Sequence, residues 1–97
     1  MNQPEGEFAL VGLVLAPSRD RDGRFGVRAI AKKDGKDTVE EVQPGDKLLQ
    51  VDGVDMQGLP MDSVIDALRG KSGDIHTLVL SRKGKEFTMR APVRVLL

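Results

Sequence analysis

A chain of 97 residues, 39% hydrophobic and 31% charged, has the size of one domain, too short for an enzyme fold with its own cofactor lobe yet apolar enough to bury a core. Fifteen Lys and Arg balance fifteen Asp and Glu, and three Phe are the only aromatic residues, which excludes the basic field and the base-stacking platform of a general nucleic-acid binder. The absence of Cys excludes disulfides, thiolate metal sites and a cysteine nucleophile, and no apolar run is long enough to span a bilayer.

Residues 1–7 have neither a basic nor an apolar segment and are expected to carry no signal peptide; they read as a lead, such as a start added before an excised domain, with one domain over 8–97. Phe8 to Ala16 is the first predicted strand region, ended by Pro17, and the polar stretch from Ser18 to Gly23 turns the chain. Phe25 to Ala31 alternates like a half-buried strand, and Lys32 to Lys36 is a charged loop. Thr38 and Glu41 stand in capping-box spacing and predict a short helical turn over 38–42, stopped by Pro44-Gly45. Lys47 to Asp52 is a strand, Asp52-Gly53 a tight turn, and Val54 to Met56 a short return segment.

The spacing of Met61, Val64, Ile65 and Leu68 predicts a helix over 61–69, with Pro60 at its start and Gly70 as the residue that ends it. Ile75 to Ser81 and Glu86 to Ala91 alternate as two antiparallel strands around Arg82-Lys83-Gly84-Lys85. The expected class is α+β, mostly β: a five- or six-stranded, partly open barrel or sandwich capped by one main helix and a short helical turn.

Catalytic patterns are missing. His76 is the only histidine and falls in a strand pattern, where a satisfied or exposed structural residue is expected. Ser72-Gly73-Asp74 runs opposite to an aspartyl protease loop, and Gly35-Lys36 lacks the remainder of a phosphate loop. Ser18, Asp20, Asp22 and Gly23 match the early positions of a calcium loop, but the closing bidentate position falls on Ala29. No metal or other cofactor is expected.

The segment Gln43-Pro44-Gly45-Asp46-Lys47-Leu48-Leu49-Gln50-Val51-Asp52-Gly53 resembles the most recognisable stretch of PDZ domains, in which a Gly-Asp pair opens a central strand and an Asp-Gly turn closes it. Gly45 can take the turn conformation, Asp46 can accept backbone hydrogen bonds at the bend, and Leu48, Leu49 and Val51 supply a buried strand. The helix and the last hairpin follow at similar spacing, so the resemblance extends over residues 8 to 95. In finer detail, the run from Gly12 through Lys85-Glu86-Phe87 resembles the bacterial PDZ domain at the C-terminal end of retropepsin-like aspartyl proteases.

The resemblance implies an apolar-Gly-apolar loop whose backbone N–H groups receive a peptide's terminal carboxylate. Val11-Gly12-Leu13 and Phe25-Gly26-Val27 both have that form; the first is preferred because Phe25 to Ile30 fits the later strand leading to Pro44-Gly45-Asp46. It also implies a groove between an exposed strand edge, Leu13 to Ala16, and the helix, into which a peptide adds as a strand. Val14 and Leu15 would pair with the peptide, and Met61, Ile65 and Leu68 would line the groove, with Val64 and Ala67 turned to the core. Met61 stands where many relatives that prefer a hydroxyl-bearing ligand residue carry His, so apolar ligand residues are expected. Glu5 and Glu7 precede the loop where the family often has a base, which leaves internal segments as ligands beside C-terminal ones unless Arg28 or Arg69 folds nearby.

The implied task is non-catalytic: recruiting substrate to a bacterial protease of the cell envelope or periplasm, or regulating it. The implied partners are a peptide or protein segment and the remainder of the parent protease chain, with no nucleic acid and no membrane insertion. A structural or oligomerisation extension without a peptide ligand is the alternative.

Overall fold

The computed structural model describes residues 8–10, 12–33, 35–37, 39–70 and 73–93. Among the described residues, nine strands and one helix occur in the order β1 (Phe8–Leu10), β2 (Leu13–Pro17), β3 (Phe25–Ile30), β4 (Lys32–Lys33), β5 (Lys36–Asp37), β6 (Lys47–Val51), β7 (Val54–Asp55), α1 (Met61–Leu68), β8 (Ile75–Arg82) and β9 (Lys85–Pro92). The main sheet is antiparallel and open, with strand order β1-β2-β3-β6-β8-β9, and β7 pairs beside β6. The mostly β class with one helix is therefore observed.

Alternation explains the sheet. Leu78 and Leu80 on β8, and Met89 and Ala91 on β9, point to the same buried side two residues apart, while Thr77, Glu86, Thr88 and Arg90 are exposed. Two hairpins use paired left-handed residues, Asp52-Gly53 (φ 51 and 82) and Lys83-Gly84 (φ 52 and 80), the geometry whose twist suits a two-residue connection. Register slips twice. Arg28 is the extra residue where β3 faces Val14 and Leu15, and Leu49 is the extra residue where β6 faces β8.

The helix packs Val64 and Leu68, one turn apart and without exposed surface, against a core of Leu13, Leu15, Leu48, Val51, Leu78 and Leu80. Each such side chain contributes roughly 1.5–3 kcal/mol by leaving water. Pro60 occupies the N-cap, where its missing N–H costs nothing, and the Arg69 N–H closes the other end onto the Ile65 and Asp66 carbonyls.

Three local expectations are corrected. Residues 39–42 form no helical turn but bend at Glu40 and Glu41, because Val39 and Val42 are both drawn into the core; Thr38 lies outside the described residues. The charged stretch after β3 closes as the small β4–β5 hairpin around Gly35. Gly70 does not end the helix with a positive φ; instead, a Cβ there would stand 2.9 Å from Asp74 Oδ2 and 3.2 Å from Val93 Cγ2.

Candidate functional site

The preferred loop, Val11-Gly12-Leu13, stands where β1 passes into β2. Gly12 is buried with φ 81, and its carbonyl accepts the Ala31 N–H at 2.8 Å, which ties the loop to the end of β3. Val11 lies outside the described residues. Leu13 and Leu15 are wholly buried, so their side chains belong to the core, while Val14 is half-buried.

On α1, Met61 and Ile65 are half-buried one turn apart on the flank of the helix, and Ala67 packs against the core margin together with Met61. Leu68 is corrected: it has no exposed surface and belongs to the core with Val64, as a spacing of four residues requires. The pair Met61 and Ile65 is what remains of the expected lining.

The edge of β2 expected to be open is already paired. Phe8 to Ala16 folds as two strands around residues 11–12, with Phe8 opposite Leu15, Ala9 opposite Val14 and Leu10 opposite Leu13. The backbone of β1 also comes within 8 Å of α1. With β3 on its other side, β2 is an interior strand, and β1 holds the position beside the helix that was assigned to a peptide. Gly12, in the middle of an apolar run, was the signal for this turn.

A buried ion pair anchors the turn that precedes β6. Asp46 is 1% exposed; it accepts Arg82 Nε and Nη2 at 2.8 Å each and the Gln43 N–H at 2.8 Å. Burial pushes its carboxyl up, but the Arg82 fork and the Gln43 N–H outweigh this and hold it below the ordinary 3.8. Arg82 also donates to the Glu41 carbonyl and lies 5.0 Å from the Phe87 ring centre. Gly45, at φ 99, lets its own N–H reach the Val27 carbonyl while the Asp46 carbonyl accepts the Val27 N–H, so the turn is stitched to β3.

His76 is structural. Its Nδ1 lies 2.6 Å from Asp52 Oδ2 and its Nε2 lies 2.8 Å from the Arg69 carbonyl oxygen. Both partners are acceptors, so the doubly protonated ring satisfies both. Burial pushes the imidazole down, yet these two hydrogen bonds and the Asp52 and Asp74 charges hold it above the ordinary 6.5. The ring thus bolts the end of α1 to the β6–β7 turn. Among the described residues no cluster of His, Cys, Asp or Glu could hold a metal ion.

A shallow cleft of about 330 Å³ lies at the other end of β2 and β3, between Pro17, Arg19, Arg28 and Gly45. Lys47 on its wall is engaged by Asp20 at 2.5 Å and Asp22 at 2.7 Å.

The family model described as PDZ domain matches residues 4–80. The chain belongs to the PDZ family. The match stops within β8, so β9, which completes the sheet of this PDZ domain, lies beyond it. Among solved structures, the domain is similar to the photosystem II D1 C-terminal processing protease, with a TM-score of 0.75 and 22% identity. That similarity covers 91% of this chain and 23% of the protease chain, and at this identity it speaks for the fold. No curated protein matches the sequence.

Proposed function

We propose that this PDZ domain binds an extended peptide as a strand added to β2, beside Met61 and Ile65 of α1. The observation that carries the proposal is the β1–β2 pairing: the edge beside the helix accepts an antiparallel strand running toward Gly12. Such a ligand would take its register from the main chain of Leu13 to Leu15 and its preference from the half-buried apolar helix flank. Val11-Gly12-Leu13 is proposed as the loop that receives a terminal carboxylate, through backbone N–H groups.

We further propose that the domain serves a protease, recruiting substrate or regulating access rather than cutting. PDZ membership and the fold likeness to a protease-borne domain support this setting. The resemblance to retropepsin-linked domains favours an aspartyl protease of the bacterial cell envelope as the parent.

The test is an NMR titration with short peptides carrying free or amidated C-termini. Shifts tracing residues 12–16 and 61–65, larger with the free carboxylate, are expected. Shifts tracing β3 and the β8–β9 hairpin, or none with any peptide, would overturn the groove assignment.

A further inference from the structure

We infer that β1 is a built-in ligand: residues 8–10 hold the β2 edge closed, and a peptide binds there only after they leave. The inference rests on the groove reading above and deepens it. Three observations support it. The segment runs antiparallel to β2 with its C-terminal residue nearest the Gly12 loop, the direction proposed for a peptide approaching by its terminus. Its sequence, Phe8-Ala9-Leu10, has apolar residues at the last position and two before it, the pattern expected from an apolar flank of Met61 and Ile65. And it is joined to β2 through residues 11–12 alone, so its local concentration at the edge far exceeds that of any free peptide.

The closure is nonetheless one that a ligand can break. Among the described residues, β1 pairs with Leu13, Val14 and Leu15 of the five-residue β2. An incoming peptide can take over these pairs one at a time and so displace β1 toward the turn. An edge strand with three residue pairs among the described residues opens at small cost compared with the interior sheet. While the closed form predominates, apparent peptide affinity falls in proportion to the open fraction.

The chain contains no Cys, which permits a direct lock. Ala9 and Val14 are cross-strand partners, and antiparallel partners have the Cα separation a disulfide needs. The double substitution Ala9→Cys and Val14→Cys would be made in the full chain. Binding would be measured before and after reduction with the peptide Gly-Glu-Phe-Ala-Leu, which copies residues 6–10 with a free carboxyl end, and with the peptides of the titration above. The oxidised form is expected to show no binding at residues 12–16, because the disulfide removes the open state, and reduction is expected to restore binding by at least about tenfold, to an apparent affinity lowered in proportion to the open fraction.

Equal binding at this edge by the oxidised and reduced forms would overturn the built-in ligand and leave the peptide-binding function standing. No binding by either form or by the unsubstituted chain, with every peptide, would overturn both. Failure of the disulfide to form within one chain, or a disulfide-linked dimer, would show that β1 does not hold its own β2 in solution and would also overturn the inference.

Discussion

Arg82 and Asp46 are 36 residues apart in sequence and meet through two hydrogen bonds of 2.8 Å around a carboxylate with 1% exposure. Removing Asp46 leaves the Gln43 N–H and the Arg82 fork without their acceptor. Asp46→Ala is expected to lower unfolding free energy by roughly 2–4 kcal/mol, below the top of the range for a broken buried pair because Arg82 reaches water; urea unfolding measures it. Asp46, Asp52 and His76 shape the pH profile. Asp46 and Asp52 are held below 3.8, so their contribution is in force above that value and is lost as pH falls through their lower folded values. His76 is held above 6.5, so its contribution is complete below 6.5 and is lost as pH rises through the raised folded value. Stability against urea should therefore peak between about 4 and 6.5, the interval between ordinary carboxylate and imidazole titration. His76→Gln should flatten the alkaline side and reduce the part of the acid side that Asp52 contributes, because the His76 hydrogen bond is the main group holding that carboxyl down; an alkaline slope that persists in this variant would assign it to another group.

At the scale of elements, α1 presents two faces whose substitutions should separate stability from binding. Leu68→Ala opens a cavity in the core and is expected to cost roughly 2–5 kcal/mol of unfolding free energy. Ile65→Asp places a charge on the half-buried flank; it is expected to leave the domain folded and to weaken peptide binding by roughly 1–3 kcal/mol, measured by calorimetry alongside a melting curve. Unchanged affinity in a folded Ile65→Asp domain would remove the helix from the groove. The helix was legible because its period and Pro60 are local signals, as were the Asp52-Gly53 turn and the Gly45-Asp46 bend. What stayed hidden was decided at a distance. The Thr38 and Glu41 spacing suggested a helical turn, but burial of Val39 and Val42 sets the path of 39–42. Leu68 could face groove or core on sequence alone, and the β sheet behind it settled the matter. Arg82 looked like part of an exposed basic hairpin tip, since nothing local to it announces Asp46. An apolar stretch from Phe8 to Ala16 reads equally as one strand or two, because apolar residues suit both, and only the pairing shows that Gly12 turns it back.

The whole sheet has two ends of different character. At one end β8 and β9 pair along eight residues each, with Lys85, Glu86 and Arg90 exposed on the outer strand, a charged edge that discourages further strand addition. At the other, β1 offers three residue pairs among the described residues and a connection through residues 11–12. The core joins β2, β3, β6, β8 and α1 into one cooperative unit, whereas backbone pairing to β1 can be lost without exposing Leu48, Leu78 or Leu80 on the distant strands. Native-state amide exchange should therefore be graded across the sheet. Amides of Leu78 to Leu80 and their β9 partners are expected to exchange only through global unfolding, with free energies that fall steeply in urea. Amides that link β1 to β2 should exchange at least about a hundredfold faster, by an opening nearly independent of urea, as a local event exposing little surface requires. Exchange of both groups at one common, urea-sensitive rate would make β1 part of the cooperative core, and peptide entry at β2 would then require unfolding of the domain rather than release of one strand.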